Sequence, residues 1–211
     1  MITRVVVDPI APDRAVLERA AAIIRAGGVI ALPTDTLYGL AADPFNAQAV
    51  ARIFAVKGRA PTRALPLIAF DTAQVDARIG TLPILGRLLA DRFWPGPLTL
   101  LVSARETLAP GASSEDRRVG VRVPAHAVAR ELCRACGRPL TATSANISGQ
   151  AASGDPGDVA NLPEQIDLLL DAGKTPGGAP STIVDVTGDD VRLIRAGAIP
   201  WEEVQACLPH A

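Results

Sequence analysis

The residues in this chain that could do chemistry fall in several short strings. FAVKGRAPTR places Lys57, Arg59 and Arg63 within seven residues, at the end of a helical pattern. Cations there complement a helix C-terminus. The same three also suit a polyphosphate clamp, with lysine as a point charge and arginine as a bidentate fork. Spacing alone fits both readings. TATSANISG (141–149) follows a strand pattern with a series of short donors and acceptors. It reads as a turn closed by Asx and Ser/Thr hydrogen bonds, or as an anion site, because a locally extended chain points Ser144 and Asn146 the same way. PTDTLYGL (33–40) sets Thr34, Asp35 and Thr36 at the end of an apolar run, with Tyr38 close behind. APSTIVDV and RLIRAG put Ser181 and Arg195 at one end of an apolar strand each.

Those side chains need elements to hold them. Asp13 to Ala26 carries Val16, Leu17, Ala20, Ile23 and Ile24 on one stripe and stops at Gly27-Gly28, which predicts an amphipathic helix. VIAL (29–32) is a strand, and Asn46 to Val56 a second helix with Val50, Ile53 and Phe54 inward. LPLIAF (65–70) predicts a strand, followed by helices near 72–79 and 83–93. WPGPLTLLVS turns at Pro95-Gly96 into a strand. VGVRVP (119–124) is a strand, Ala125 to Ala135 a helix and PLTAT (139–143) a strand. IDLLLD (166–171), STIVDV (181–186) and VRLIRAG (191–197) are strands, before a short helix near Pro200. The stretch from about 147 to 163, rich in Gly, Pro, Ser and Asp, is the best candidate for a mobile flap. Helix and strand alternate with no internal repeat and no separating linker. The expectation is one α/β domain over 1–211, an open twisted mixed sheet flanked by helices.

Composition removes several function classes. With 21 basic and 22 acidic residues the net charge is −1, so a polyanion site must be a local cluster. No apolar run approaches the roughly 18 residues of a membrane span, and the N-terminus lacks a signal-like apolar stretch, which predicts a cytoplasmic protein with no membrane partner. Cys133, Cys136 and Cys207 are an odd set with no second CxxC or CxxH, and read as ordinary buried or half-buried cysteines. DAGKT (171–175) lacks the P-loop glycine, because residue 168 is leucine. The histidines are His126 and His210, too few for a histidine-rich metal site and poorly placed for a Ser-His-Asp triad. His126, opening a helix, reads as structural.

Taken in order, PTDTLYGL, KGR, WPGPLT, VGVRVP, TSANISG, PSTIVD and RAG resemble the threonylcarbamoyl-AMP synthase family (YrdC/TsaC type), from about residue 13 to 197. The resemblance implies an open, twisted α/β sheet with a large positively charged cavity. It implies an enzyme that uses ATP, with Mg2+, bicarbonate and L-threonine to make threonylcarbamoyl-adenylate and pyrophosphate. A downstream threonylcarbamoyl transferase then modifies an adenosine beside the anticodon of certain tRNAs, and tRNA itself is a further partner to consider. The family's Lys-x-Arg falls on Lys57 and Arg59 and its Ser-x-Asn on Ser144 and Asn146, as catalytic and ATP-binding residues. Arg63 and Arg195 are further nucleotide contacts. Thr36, Arg122 and Ser181 fall on the threonine site, with Tyr38 walling the pocket. Asp35 either orients these groups or holds a magnesium-bound water.

The chain departs from the family pattern at Ala41, Ala60 and Ala64, and it lacks a histidine that some longer members place near Ile68 or Phe70. It resembles the short, single-domain form. A site rich in Lys, Arg, Ser and Asn suits a reaction that proceeds by positioning and charge neutralisation. Two other readings compete: a non-catalytic RNA-binding module using the same cations, and a YrdC-like relative with altered activity. Near-neutral charge and 3% aromatic residues argue against the RNA-binding module.

Overall fold

The computed structural model describes residues 2–58, 60, 63–105, 108–162 and 166–209. In chain order the elements are β1 (Arg4–Val6), α1 (Arg14–Arg25), β2 (Ile30–Leu32), β3 (Gly39–Ala41), α2 (Ala47–Lys57), β4 (Leu67–Ile68), α3 (Thr72–Arg78), α4 (Ile84–Phe93) and β5 (Leu98–Ser103). They continue with β6 (Arg118–Arg122), α5 (Ala127–Cys136), β7 (Leu140–Thr141), β8 (Thr143–Ser144), α6 (Pro156–Ala160), β9 (Leu168–Asp171), β10 (Thr182–Asp185), β11 (Arg192–Arg195) and α7 (Trp201–Gln205).

Helix ends follow local chemistry. The Asp13 carboxylate accepts from the Ala15 and Val16 amides to open α1, and Asn46 accepts from Gln48 and Ala49 to open α2. Gly58 closes α2 in the left-handed region, at φ 60°. His126 opens α5, its Nδ1 accepting from the Val128 amide. That is the structural role its position suggested.

The fold is mixed α/β with helices outside, as expected, and its strands divide between two sheets. One runs β1-β9-β2-β3-β8 and the other β11-β10-β5-β6-β4-β7. Both mix parallel and antiparallel pairs: β9 lies parallel to β1 and β2, while β2 and β3 are antiparallel. Strands β2 and β9 are buried on both faces, which is why they read as unbroken apolar runs. Their alternation feeds two cores. Ile30, Leu32, Leu168 and Leu170 pack with α1 and α5, whereas Ala31 and Leu169 face the larger core that holds α2 and α4.

Structure and sequence reading differ in three places. The stretch 139–143 is two strands rather than one. Leu140 and Thr141 pair with β4 in one sheet, while Thr143 and Ser144 pair with β3 in the other. Short β1 and β3 also form, each stabilised by a partner distant in sequence, β9 and β8 respectively. The expected flap contains α6, capped by Asp155 with Pro156 in the first turn. It is tied down where Ser153 O accepts from Tyr38 N (3.1 Å) and Gly154 O from Thr175 N (2.9 Å).

Candidate active site

The division into two sheets creates a cavity of about 1580 Å³ between them. Period-2 alternation decides its lining. On β5, Leu98, Leu100 and Val102 enter the core, while Thr99 and Leu101 border the cavity. On β6, Val119 and Val121 face the core and Arg118, Gly120 and Arg122 the cavity. Near β10 the cavity side is Ser181 and Ile183. The opposite wall is the shelf of Thr34 and of Thr36 to Gly39, with Thr143 and Ser144. Ionisable lining is mixed, Arg63, Arg118, Arg122 and Arg195 against Glu115 and Asp116. A second cavity, of about 420 Å³, holds Phe70, Trp94 and Arg130 and none of the candidate site residues.

Of those residues, Thr36, Tyr38, Arg63, Arg122, Ser144, Ser181 and Arg195 all border the one large cavity. Arg122 pairs with Asp35 (Nη1 to Oδ1, 2.8 Å), both side chains being about nine-tenths buried. Burial pushes the Arg122 guanidinium pKa down, and the charge and hydrogen bond of Asp35 oppose that. Burial also lowers Arg195, followed by the positive charge of Arg122. Arg195 Nη2 donates to the Ser181 carbonyl (2.7 Å) and hydroxyl (3.2 Å), and that hydroxyl shares a 2.8 Å hydrogen bond with Thr99.

The shelf is fixed by its own hydrogen bonds. Thr34 Oγ1 donates to Leu37 O (2.7 Å) and accepts from Thr36 N (3.2 Å). The Thr36 carbonyl accepts from Thr175 Oγ1 and Gly177 N, both at 2.9 Å. Tyr38 is buried at the cavity edge. Its hydroxyl donates to Gly173 O (2.7 Å) and accepts from Ala172 N (3.1 Å), so it ties the shelf to the segment after β9. Burial pushes its pKa up to about 12.

The strings around Lys57 and Asn146 are arranged differently from the expectation. Lys57 is 3% exposed and does not border the cavity. Its Nζ donates to Ser144 O (2.7 Å), Asn146 O (3.1 Å) and Asn146 Oδ1 (3.1 Å). Of the two readings of this string, the turn is the one that forms over 144–146: the Asn146 amide turns back to Ser144 O (3.0 Å). The Ser144 hydroxyl therefore donates to Asn146 Oδ1 (2.6 Å), and Asn146 Nδ2 donates to Ile147 O and Gln150 O. Ser144 borders the cavity and Asn146 does not. Arg59 lies outside the described residues. The DAGKT segment forms no helix after β9, and Lys174 is 80% exposed beside Asp155.

Sequence reading passed over Thr99 and Arg118. Arg118 carried a signal, since RVGVR alternates with Arg118, Gly120 and Arg122 on one face, whereas Thr99 is a lone polar residue near the start of the apolar run LTLLV.

The Sua5/YciO/YrdC family model, described as telomere recombination, matches residues 22–197. A Pyrococcus abyssi protein named threonylcarbamoyl-AMP synthase is 37% identical over 190 residues, 90% of this chain and 56% of its own length. A Bacillus subtilis protein of the same name is 34% identical over 205 residues, 96% of this chain and 59% of its own. The chain thus spans less than two thirds of both relatives. The crystal structure of Pyrococcus abyssi Sua5 complexed with L-threonine superposes with a TM-score of 0.90 at 34% identity, covering 99% of this chain and 61% of that one.

Proposed function

Because the chain belongs to the Sua5/YciO/YrdC family, we propose that it is an L-threonylcarbamoyladenylate synthase, a nucleotidyltransferase. The observation that carries this reading is the convergence of Thr36, Arg122, Ser181, Arg63, Ser144 and Arg195 on one cavity. At about 1580 Å³ the cavity exceeds the roughly 300–1,000 Å³ typical of a single small-molecule pocket. It has room for a nucleotide and an amino acid together.

In this reading the threonine amine attacks the carbon of bicarbonate, forming a carbamate and releasing water. A carbamate oxygen then attacks the α-phosphorus of ATP, and pyrophosphate leaves. Neither step needs a covalent enzyme intermediate, so the protein's work is orientation and charge neutralisation. Arg122 takes the threonine carboxylate, and Thr36 and Ser181 confine the side chain. Arg63, Arg195 and the Ser144 hydroxyl face the phosphates, with Arg59 in the clamp. Lys57 and Asn146 contribute by shaping the loop that presents Ser144, and Tyr38 by fixing the shelf under Thr36.

Among the described residues no group of three or more His, Cys, Asp or Glu side chains could hold an ion. The donor set therefore does not fit a protein-built magnesium cage, and Mg2+ would arrive on the triphosphate. Downstream, the mixed anhydride suits a threonylcarbamoyl transferase acting on tRNA. Among the described residues no helix is long and apolar enough to cross a membrane.

The test is an omission series. Pyrophosphate and threonylcarbamoyl-AMP, identified by mass, are expected only when ATP, Mg2+, bicarbonate and threonine are all present. ADP as the product, or salt-sensitive RNA binding without nucleotide turnover, would overturn the reading.

A further inference from the structure

We propose that Asp35 is a positioning residue of the amino-acid subsite: it holds the Arg122 guanidinium at the cavity wall and supplies its counter-charge. This rests on the synthase reading above.

The geometry separates two jobs. Arg122 borders the cavity and Asp35 does not, so the carboxylate sits behind the guanidinium and out of a ligand's way. The Nη1 to Oδ1 contact is the guanidinium's one hydrogen bond among the described residues. Its remaining N–H groups are left for an incoming carboxylate, the planar fork geometry that arginine recognises best. The backbone on either side of Asp35 is pinned, by Thr34 to Leu37 and by Thr36 to Thr175 and Gly177. The carboxylate is therefore placed before any ligand arrives.

A pair serving only the fold would be built otherwise. Asp35 Oδ2 is buried with no hydrogen-bond partner, whereas two-oxygen pairing would satisfy it. Buried ion pairs are weak stabilisers even when fully satisfied, and this one is incompletely satisfied. Such a departure from polar satisfaction marks a site shaped for function. The electrostatics agree in direction: burial disfavours the charge of Arg122, and Asp35 is the acid that opposes this, while Arg195 is disfavoured by burial and by the charge of Arg122.

The test is calorimetric binding of L-threonine, and separately of ATP, to the full chain. Loss of a charged hydrogen bond corresponds to roughly 10- to 100-fold in affinity. Asp35→Asn is expected to weaken threonine by that factor and to change ATP by less than about 2-fold. On an Arg122→Ala background the same substitution should change threonine binding by less than about 2-fold, because its effect passes through Arg122. Asp35→Glu keeps the charge and should fall between wild type and Asp35→Asn. A folded Asp35→Asn protein with wild-type threonine affinity, or with equal losses for threonine and ATP, would overturn the role. If Asp35→Asn does not fold, wild-type threonine affinity in Asp35→Glu overturns it as well, and a selective threonine loss there supports it. A wild-type protein that binds no threonine would overturn the synthase reading and this role together.

Discussion

At the residue scale, placement separates two kinds of cation. Arg122 faces the cavity, so its removal should act on ligand affinity. Arg122→Ala is expected to raise KM for threonine and serine together, because both present the same carboxylate. The kcat/KM ratio of threonine over serine should stay near its wild-type value, set by one methyl group at roughly 10- to 200-fold. An unchanged threonine KM would take Arg122 out of the subsite. Lys57 is buried, and its ammonium is bonded to three loop acceptors. Lys57→Ala should therefore lower stability as well as turnover, by about 3 kcal/mol, or a Tm loss of roughly 6 to 12 °C. A thermal melt within 2 °C of wild type alongside lost turnover would restore Lys57 to direct contact with phosphate. The strings that hold these residues were legible in sequence. Which cation faces the cavity was not, because that depends on where the loop after β8 folds back.

At the element scale, the sheet that floors the cavity depends on close backbone approach at its edge. Strand β11 pairs with β10 and carries Arg195 to Ser181. Gly197, just beyond, packs so tightly that an added Cβ would lie 2.3 Å from Pro180 O and 2.6 Å from Thr182 N. Those are backbone atoms with no rotamer to yield. Gly197→Ala should shift the end of β11, cost about 1 to 3 kcal/mol of stability and weaken nucleotide binding through Arg195. Urea unfolding and ATP calorimetry would check both, and wild-type values in each would show that the turn relaxes without moving the strand. Long elements were read correctly from periodicity, as α1, α2, α4 and α5 show. The two-residue pairs around β4, β7 and β8 were merged or overextended, because their strand character comes from partners far away in sequence.

At the scale of the whole molecule, two cores share one chain, and the cysteines report on one of them. Cys133 and Cys136 lie in the core between α1 and α5. Burial pushes the Cys133 thiol well above its ordinary range and Cys136 up to about 12, while Cys207 is half-buried. A thiol reagent at neutral pH is therefore expected to label one cysteine, Cys207, in the native protein and three after denaturation. Native labelling of Cys133 or Cys136 would mean that this core opens readily. The sequence by itself determined the long helices, the mixed α/β class, the family and seven of the residues that border the cavity. Those follow from local periodicity, turn chemistry and motif order, which a linear string records in full. The tertiary structure alone decided that one five-residue stretch, Pro139 to Thr143, enters two sheets. It also decided that Lys57 turns inward and that Asp35 stands behind Arg122. These depend on contacts between residues 87 positions apart, which no local pattern encodes.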